Sequence, residues 1–431
     1  MARMPPNQHI PTDLTLTDEM LIQGAQQFGT PLYMYDKAKL EENLGLLTGS
    51  LPIDVEVHYS VKANPNLAII RAFADLGASF EVASVGELMA VLRVGVSPSR
   101  VIFVGPGKTD AELHYAIKQQ LCALVVESPF EVSRVQTLAE QLSEQVRIAL
   151  RVNPGSGEGM LAMGGPTQFG MESGMALNLL QSAATYSNVK IVGIHGYLGA
   201  QILDWRVILA HFGLVLQLAD ELQQRTGRAF EFIDVGGGFG VPYHERDQAL
   251  DLDALSTSLS DMICQYRRNY PGTKTLAVES GRFLVGTAGV FITRVIDIKR
   301  FGEQLFAILD GGINAFGGHD RYAGSRPTPI RVLGGDESSL RTLTLCGPLC
   351  TPLDRLAAHV RLPMPQIGSL VVFYLAGAYG YTASPGLFLS HGFPCEVLAS
   401  GGELVLVRRR MSPDDVFSRQ PSDCTWLGAE R

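Results

Sequence analysis

The sequence predicts a parallel α/β barrel followed by an all-β domain. Eight short β-like runs recur, beginning near Val55, Ser79, Val101, Cys122, Val146, Ile191, Phe230 and Thr275. Helix-like segments separate them, and strict β–α alternation implies a parallel sheet. Eight such units within about 230 residues match a (β/α)8 barrel, with a doubly wound sheet as the alternative. Beyond Val285 the helical patterns give way to strand-like ones.

The barrel helices follow from apolar spacing. Asn66–Leu76 and Val85–Val94 carry apolar residues at helical intervals, and Asp110–Gln119 and Phe130–Leu142 are polar-faced and amphipathic. Met175–Tyr186, Trp205–Thr226 and Leu252–Tyr270 are longer. Several strands end in small or polar turns: Gly105-Pro-Gly, Asn153-Pro-Gly-Ser-Gly, Gly236-Gly-Gly and Glu279-Ser-Gly. In the second domain Val290–Val295, Leu305–Leu309, Arg341–Leu345, Ser369–Tyr374 and Glu396–Val407 read as strands. Leu32-Tyr-Met-Tyr35 is a further apolar run that joins this domain. The expected boundaries are 1–35 for the N-terminal segment, 36–285 for the barrel and 286–431 for the β-domain. Residues 1–12 and the charged tail after Arg408 are expected to be loose.

Composition excludes several classes. The chain has 431 residues, 46% hydrophobic and 18% charged, which suits a soluble protein with a large core. A net charge of −8 without a basic block argues against nucleic acid as a partner. No apolar run approaches a membrane span of ~20 residues. The start, Met1-Ala-Arg-Met-Pro-Pro-Asn-Gln-His9, lacks the apolar stretch of a signal peptide, so a cytoplasmic protein is expected. The six cysteines are scattered, and none joins a His or Cys pair at zinc-finger spacing; neither a disulfide scaffold nor a metal site is expected.

The chemistry concentrates at strand ends. Lys62 closes the run Val55-Glu-Val-His-Tyr-Ser-Val61 and is the only lysine between Lys39 and Lys108. A lysine ending a buried strand is costly unless its amine is paired or reactive. The plainer alternative is an edge-strand lysine reaching water. Gly236, Gly237 and Gly238 follow the seventh run, where a bare backbone lets amide N–H groups converge on a phosphate. The GxGxxG spacing of a dinucleotide site is not met there, and a tight turn alone is the alternative. The eighth run ends Glu279-Ser-Gly-Arg282. Arg282 could clamp a phosphate and Glu279 could hold a proton on a heteroaromatic nitrogen, against a structural ion pair. His195 ends the sixth run, where it could stack on a ring or simply fill the core. A Schiff-base lysine, a phosphate turn, a carboxylate for a pyridinium and a stacking imidazole are together the protein's side of pyridoxal phosphate chemistry.

These residues resemble the fold-type III pyridoxal 5'-phosphate (PLP) decarboxylases, the family of the diaminopimelate, ornithine and arginine enzymes. Tyr59-Ser-Val-Lys62-Ala-Asn64 resembles the PLP-lysine motif, and Phe80-Glu-Val-Ala-Ser-Val-Gly-Glu87 follows at the usual distance. Gly193-Ile-His-Gly-Tyr-Leu-Gly-Ala-Gln201 resembles the motif whose His stacks on the cofactor, and Gly236–Gly238 the phosphate glycines. Glu279-Ser-Gly281-Arg282 is similar to the family's Glu-Pro-Gly-Arg. Cys346-Gly-Pro-Leu-Cys350 resembles a motif contributed across a dimer interface, and Gly377-Ala-Tyr379-Gly380 one that reaches the phosphate. The resemblance implies a PLP-dependent decarboxylase acting as a homodimer with shared active sites. Lys62, Glu279 and Cys350 would be its catalytic residues, with Cys350 a proton donor near Cα or a buried hydrophobe.

Departures from the family's pattern bear on the substrate. Thr351 follows Cys350 where diaminopimelate decarboxylases carry an acid, and their Asp-Gly-Gly-Met-Asn-Asp becomes Asp310-Gly-Gly-Ile-Asn-Ala315. Gln168 and Ala200 replace a Lys and a Ser of the pattern. Gly164-Gly-Pro-Thr-Gln-Phe-Gly-Met171, Gly347-Pro-Leu-Cys-Thr-Pro352 and Ser384-Pro385 resemble instead the branch that decarboxylates a glutamyl group on an acyl carrier protein. Siderophore-pathway decarboxylases are similar too. The expected substrate is thus a small-molecule or carrier-protein-linked amino acid of secondary metabolism, with diaminopimelate as the runner-up. Asp310 and Asp354 are candidates for substrate amine contacts, and Arg321 and Arg326 for a substrate carboxylate, each against a structural or solvated role. A PLP racemase would need a second catalytic base, and a non-catalytic PLP carrier would lack the β-domain.

Overall fold

The computed structural model describes residues 13–153, 167–244, 246–317 and 328–420. The chain divides into two compact units: Met1–Asp36 with Gly289–Arg431, and Lys37–Ala288.

In the first unit, helix α1 (Asp18–Phe28) precedes strand β1 (Leu32–Asp36). Every residue of β1 is buried. The second unit opens with α2 (Lys37–Gly49) and β2 (Val55–Ser60) and continues as α3 (Leu67–Asp75), β3 (Ser79–Val82), α4 (Val85–Arg93) and β4 (Val101–Phe103). Next come α5 (Asp110–Gln119), β5 (Ala123–Val126), α6 (Pro129–Leu142), β6 (Val146–Arg151), α7 (Ser173–Gln181) and β7 (Val189–His195). The unit ends with α8 (Trp205–Thr226), β8 (Phe232–Asp234), α9 (Leu252–Asn269), β9 (Thr275–Ser280) and the short α10 (Arg282–Val285). Strands β2 to β9 pair in parallel in sequence order, and β9 returns to β2, closing the barrel. This closure excludes the doubly wound alternative, since an open sheet would leave two edges unpaired.

Local chemistry sets the helix starts. Ser84, Thr109 and Ser128 each accept a bond from the amide three residues on, at 3.2, 3.3 and 3.1 Å, and Thr109 forms a full capping box with Glu112. The strands carry alternating inward residues. Ile102, Val104, Ala123, Val125, Ala149, Val192, Phe232 and Ala277 form one buried cluster drawn from β4 to β9. Small alanines on three strands leave room for the Phe232 ring. Strand period two then places the residue two steps on over the same face. That residue is Glu127 after Val125, Arg151 after Ala149, Asp234 after Phe232 and Glu279 after Ala277. An ionisable layer therefore caps the apolar one at the carboxyl ends of the strands.

The first unit is a mixed sheet of β1, β10 (Gly289–Phe301), β11 (Gln304–Leu309), β12 (Ile330–Leu333), β13 (Asp336–Cys346), β14 (Arg355–Met364), β15 (Leu370–Phe373), β16 (Cys395–Ser400) and β17 (Glu403–Arg408). β1 runs antiparallel to β10 and parallel to β16. Two strands were not legible in the sequence. β12 is short, and β14 pairs with β13 through register shifts, with His359 at φ +55°, so its alternation is broken. The run Glu396–Val407 is two strands, because Gly401 (φ +59°) and Gly402 (φ +86°) turn the chain back. The segment after Arg408 also departs from expectation. It forms helix α11 (Pro413–Phe417), with a Ser412–Asp415 capping box and an Arg409–Asp415 ion pair.

Candidate active site

Lys62 lies in a single 3-10 turn, Val61–Ala63, directly after β2. Its Nζ stands 3.0 Å from Oε1 of Glu81, a wholly buried carboxylate on β3, and 5.6 Å from the centre of the Tyr197 ring. The amine is thus aimed by one carboxylate and one aromatic face, while its own side chain stays 37% exposed. This departs from an edge-strand lysine, because β2 has a partner on each side.

Across the barrel, His195 ends β7, Asp234 ends β8 and Glu279 lies near the end of β9. All three are buried, and a ligand atom from each lies within 4.8 Å of the others. His195 Nε2 is 3.0 Å from Glu279 Oε1. Burial alone would raise the Glu279 carboxyl, but His195, Lys62 and Arg151 outweigh it and hold the group down at about 2. Asp234 moves the other way: burial, then the Glu279 charge, pushes it well above the carboxylate range. The two carboxyls are thus pushed in opposite directions, Glu279 down by its cationic neighbours and Asp234 up by burial and the Glu279 charge.

The turn after β8 is built for close backbone approach. Gly236 (φ +73°) donates its N–H to Asp234 Oδ1 at 2.7 Å, and its carbonyl accepts from the Glu279 amide at 2.9 Å. A Cβ on Gly237 would stand 2.6 Å from the Glu279 carbonyl oxygen, so only glycine fits. Gly281 packs against the lysine turn, where a Cβ would meet that of Ala63 at 2.8 Å. Arg282 is buried and donates to the Tyr243 hydroxyl at 3.2 Å.

These residues fit a phosphorylated pyridine. An ionised, buried carboxylate can keep a ring nitrogen protonated, and Nδ1 of His195 and Oδ2 of Asp234 are buried without a protein partner among the described residues. The glycine turn and Arg282 lie at the carboxyl ends of the strands, as does the Lys62 amine that Glu81 holds. Sequence reasoning missed Glu81, Arg151, Tyr197 and Asp234 as members of this layer. The signal was present: Arg151 and Asp234 end their strands and Glu81 is one residue short of the end of β3.

The remaining expected residues lie in the other unit. Cys350 is an exposed free thiol in the turn after β13. Tyr379 follows β15 with φ +62°. Asp354 and Asp310, expected either at the substrate or in a structural role, both accept hydrogen bonds within their own unit. Asp354, buried, accepts from the Ile313 amide through Oδ1 and the Leu349 amide through Oδ2, both at 2.7 Å. A Cβ on Gly312 or Gly347 would overlap that carboxylate, at 2.2 and 2.4 Å. Asp310 accepts from the Thr293 hydroxyl at 2.6 Å, the Arg294 amide at 2.8 Å and the Thr30 hydroxyl. Arg321, Arg326 and the start of the Gly164–Met171 motif lie outside the described residues.

Comparison with known proteins agrees with this geometry. Residues 37–286 match the pyridoxal binding domain of the pyridoxal-dependent decarboxylases. The chain is 34% identical to the L-glutamyl-[BtrI acyl-carrier protein] decarboxylase of Niallia circulans, over 92% of this chain and 94% of that one. It is 31% identical to the diaminopimelate decarboxylase of Aquifex aeolicus, again over 92% and 94%. The crystal structure of the Helicobacter pylori diaminopimelate decarboxylase complexed with L-lysine superposes with a TM-score of 0.84 at 27% identity, covering 92% of this chain and 98% of that one. Barrel, ionisable layer and likeness over nearly the whole length converge on one conclusion: the chain belongs to the pyridoxal-dependent decarboxylases, and it is a PLP-dependent amino-acid carboxy-lyase.

Proposed function

We infer that this enzyme decarboxylates an amino acid whose distal end is not cationic, in particular a glutamyl group carried on an acyl carrier protein. The carrying observation concerns acids in the two β-domain loops. Thr351 and Ala315 stand where the diaminopimelate enzymes it resembles have acidic residues, and Asp310 and Asp354 are committed to backbone and hydroxyl donors. A distal ammonium would then lack its counter-charge, a mismatch worth a few kcal/mol in a desolvated site. The 34% identity to a carrier-linked glutamyl decarboxylase supports the same choice.

In this reading Lys62 binds the cofactor through its amine, and Glu81 holds that amine when it is free. Gly236, Gly237, Gly238, Gly281 and Arg282 bind the phosphate, with Tyr379 reaching it. His195 packs on the ring. Glu279 keeps a proton at the pyridine nitrogen. Bound PLP supplies the electron sink for the pair left at Cα when carbon dioxide departs. Cys350 delivers a proton to that carbon from the second subunit of a homodimer.

The test measures carbon dioxide release with saturating PLP from carrier-linked glutamate, free glutamate, meso-diaminopimelate, lysine and ornithine. The carrier-linked substrate is expected to have the highest kcat/KM. A clear preference for free diaminopimelate would overturn the reading. It would favour the second one, lysine biosynthesis, which the 31% identity to a diaminopimelate decarboxylase supports.

A further inference from the structure

A chain of buried charges leads from the turn after β4 to Arg151 in the ionisable layer. It starts at Lys108, in the turn after β4. That ammonium is 4% exposed and donates to the Gly105 carbonyl at 2.6 Å, the Val125 carbonyl at 2.7 Å and Glu131 Oε1 at 3.0 Å. Its three protons are thereby used. The other oxygen of Glu131, in the first turn of α6, accepts from the Glu127 amide at 2.8 Å. Glu127, just past β5, spends one oxygen on Arg151 Nη1 at 2.9 Å and the other on the Gly170 amide at 2.9 Å. Arg151, the last residue of β6, lies 5.8 Å from the Tyr197 ring centre, the ring that also receives Lys62 at 5.6 Å. Lys108, Glu131, Glu127 and Arg151 are all under 8% exposed. The chain thus links the carboxyl ends of β4, β5 and β6 to the segment after β7.

Two buried ion pairs are weak evidence of a stabilising purpose, because their desolvation offsets much of the attraction. Burial lowers the Lys108 ammonium, and the Glu131 and Glu127 charges oppose that shift. Apolar packing would hold the same strands together more simply. What apolar packing cannot do is fix a guanidinium at one depth beside Tyr197 and Glu279. Glu127 does this while also fixing Gly170, whose left-handed backbone (φ +69°) has no room for a side chain beside Arg151.

We propose that Glu127 is a positioning residue: it sets Arg151 against Tyr197, the ring that also receives the Lys62 amine, and so fixes the lysine side of the site. Glu131 and Lys108 anchor Glu127 in turn. This rests on reading the barrel mouth as the PLP site, and a separate arm tests that reading.

The experiment is a double-mutant cycle on the full chain, with PLP affinity measured by calorimetry alongside kcat and KM. Glu127→Gln keeps an acceptor for the Gly170 amide and removes the charge from Arg151. It is expected to weaken PLP binding about tenfold, within the range for coupled neighbours, and to lower kcat more than it changes KM. Glu127→Gln added to Arg151→Met should cost no more than Arg151→Met alone. Additive losses would overturn the proposal. So would a fall in melting temperature with unchanged PLP affinity, which is the signature of a merely structural pair. Should Glu127→Gln not fold, Glu127→Asp and Lys108→Arg enter the same cycle with the charges kept, and the same non-additivity is expected. In the separate arm, a Lys62→Ala variant that keeps the visible absorbance of wild-type protein would refute the site reading itself, whatever the cycle shows.

Discussion

At the scale of single residues, the site depends on charges that burial alone would not tolerate. Lys62 is aimed by Glu81 and Tyr197, so its amine is the expected point of cofactor attachment. The purified protein should be yellow, and Lys62→Ala should abolish that absorbance. Borohydride trapping with peptide mapping would locate the modified lysine, and any other lysine would be the contrary result. Burial would raise the Glu279 carboxyl, and His195, Lys62 and Arg151 pull it below the ordinary carboxylate value. Glu279→Gln should therefore lower turnover by ~100-fold or more, the order of a lost electrostatic or acid–base contribution. PLP should still bind, since the glycine turn and Arg282 are untouched; near-wild-type turnover would remove Glu279 from its role. Lys62, His195, Gly236–Gly238, Glu279 and Arg282 could be proposed from the sequence because they stand at or just past the ends of strand-like runs. Arg151 stands at the end of β6 in the same way, and Glu81 one residue before the end of β3. They escaped notice because one charge per strand end looks like an isolated ion until the strands are closed into a ring.

At the scale of elements, two packing details have measurable consequences. His211 on α8 is buried and meets the Val235 carbonyl at 2.8 Å through Nε2, at the edge of the phosphate turn. Burial pushes its imidazole down to about 4, below the ordinary value of 6.5. The folded state then takes up a proton later than the unfolded one as pH falls. The stability is at its full value above pH 6.5 and falls progressively down to about pH 4, by roughly 3 kcal/mol. His211→Gln should flatten that part of the stability-against-pH curve, measured by urea unfolding at fixed pH values. An unchanged slope would mean that the imidazole does not titrate there. In the β unit, Asp354 ties the Gly312-Ile313 loop to the Gly347–Cys350 turn through two backbone amides. Asp354→Ala leaves both amides buried and unbonded, at about 1–3 kcal/mol each. Hydrogen exchange at Ile313 and Leu349 should lose protection, and unchanged exchange would remove this role. β14 and the turn at Gly401-Gly402 were not legible, because bulges and a left-handed turn break the alternation that marks a strand.

For the whole molecule, the proposed shared site makes a stoichiometric prediction. The barrel residues Lys62 and Glu279 belong to one compact unit and Cys350 to the other. In a two-fold dimer whose sites take Cys350 from the second subunit, Lys62→Ala and Cys350→Ala homodimers are both inactive. Mixed after subunit exchange, they should regain up to about one functional site per heterodimer, as two-fold symmetry requires. No recovery after exchange is verified by mass spectrometry would count against a shared site.

The sequence by itself determined the fold class and the strand ends that carry the chemistry. It could do so because β–α periodicity, glycine turns and charges closing apolar runs are local patterns. Barrel closure, the gathering of His195, Asp234 and Glu279 into one buried cluster, and the path of charge from Lys108 to Arg151 were decided only by the tertiary structure. So were the hydrogen bonds of Asp310 and Asp354, whose backbone donors at Arg294 and Ile313 come from segments distant in sequence. The physical reason is the same in each case. Burial and electrostatic coupling act through distances between strands, and those distances do not exist until the barrel and the sheet have formed.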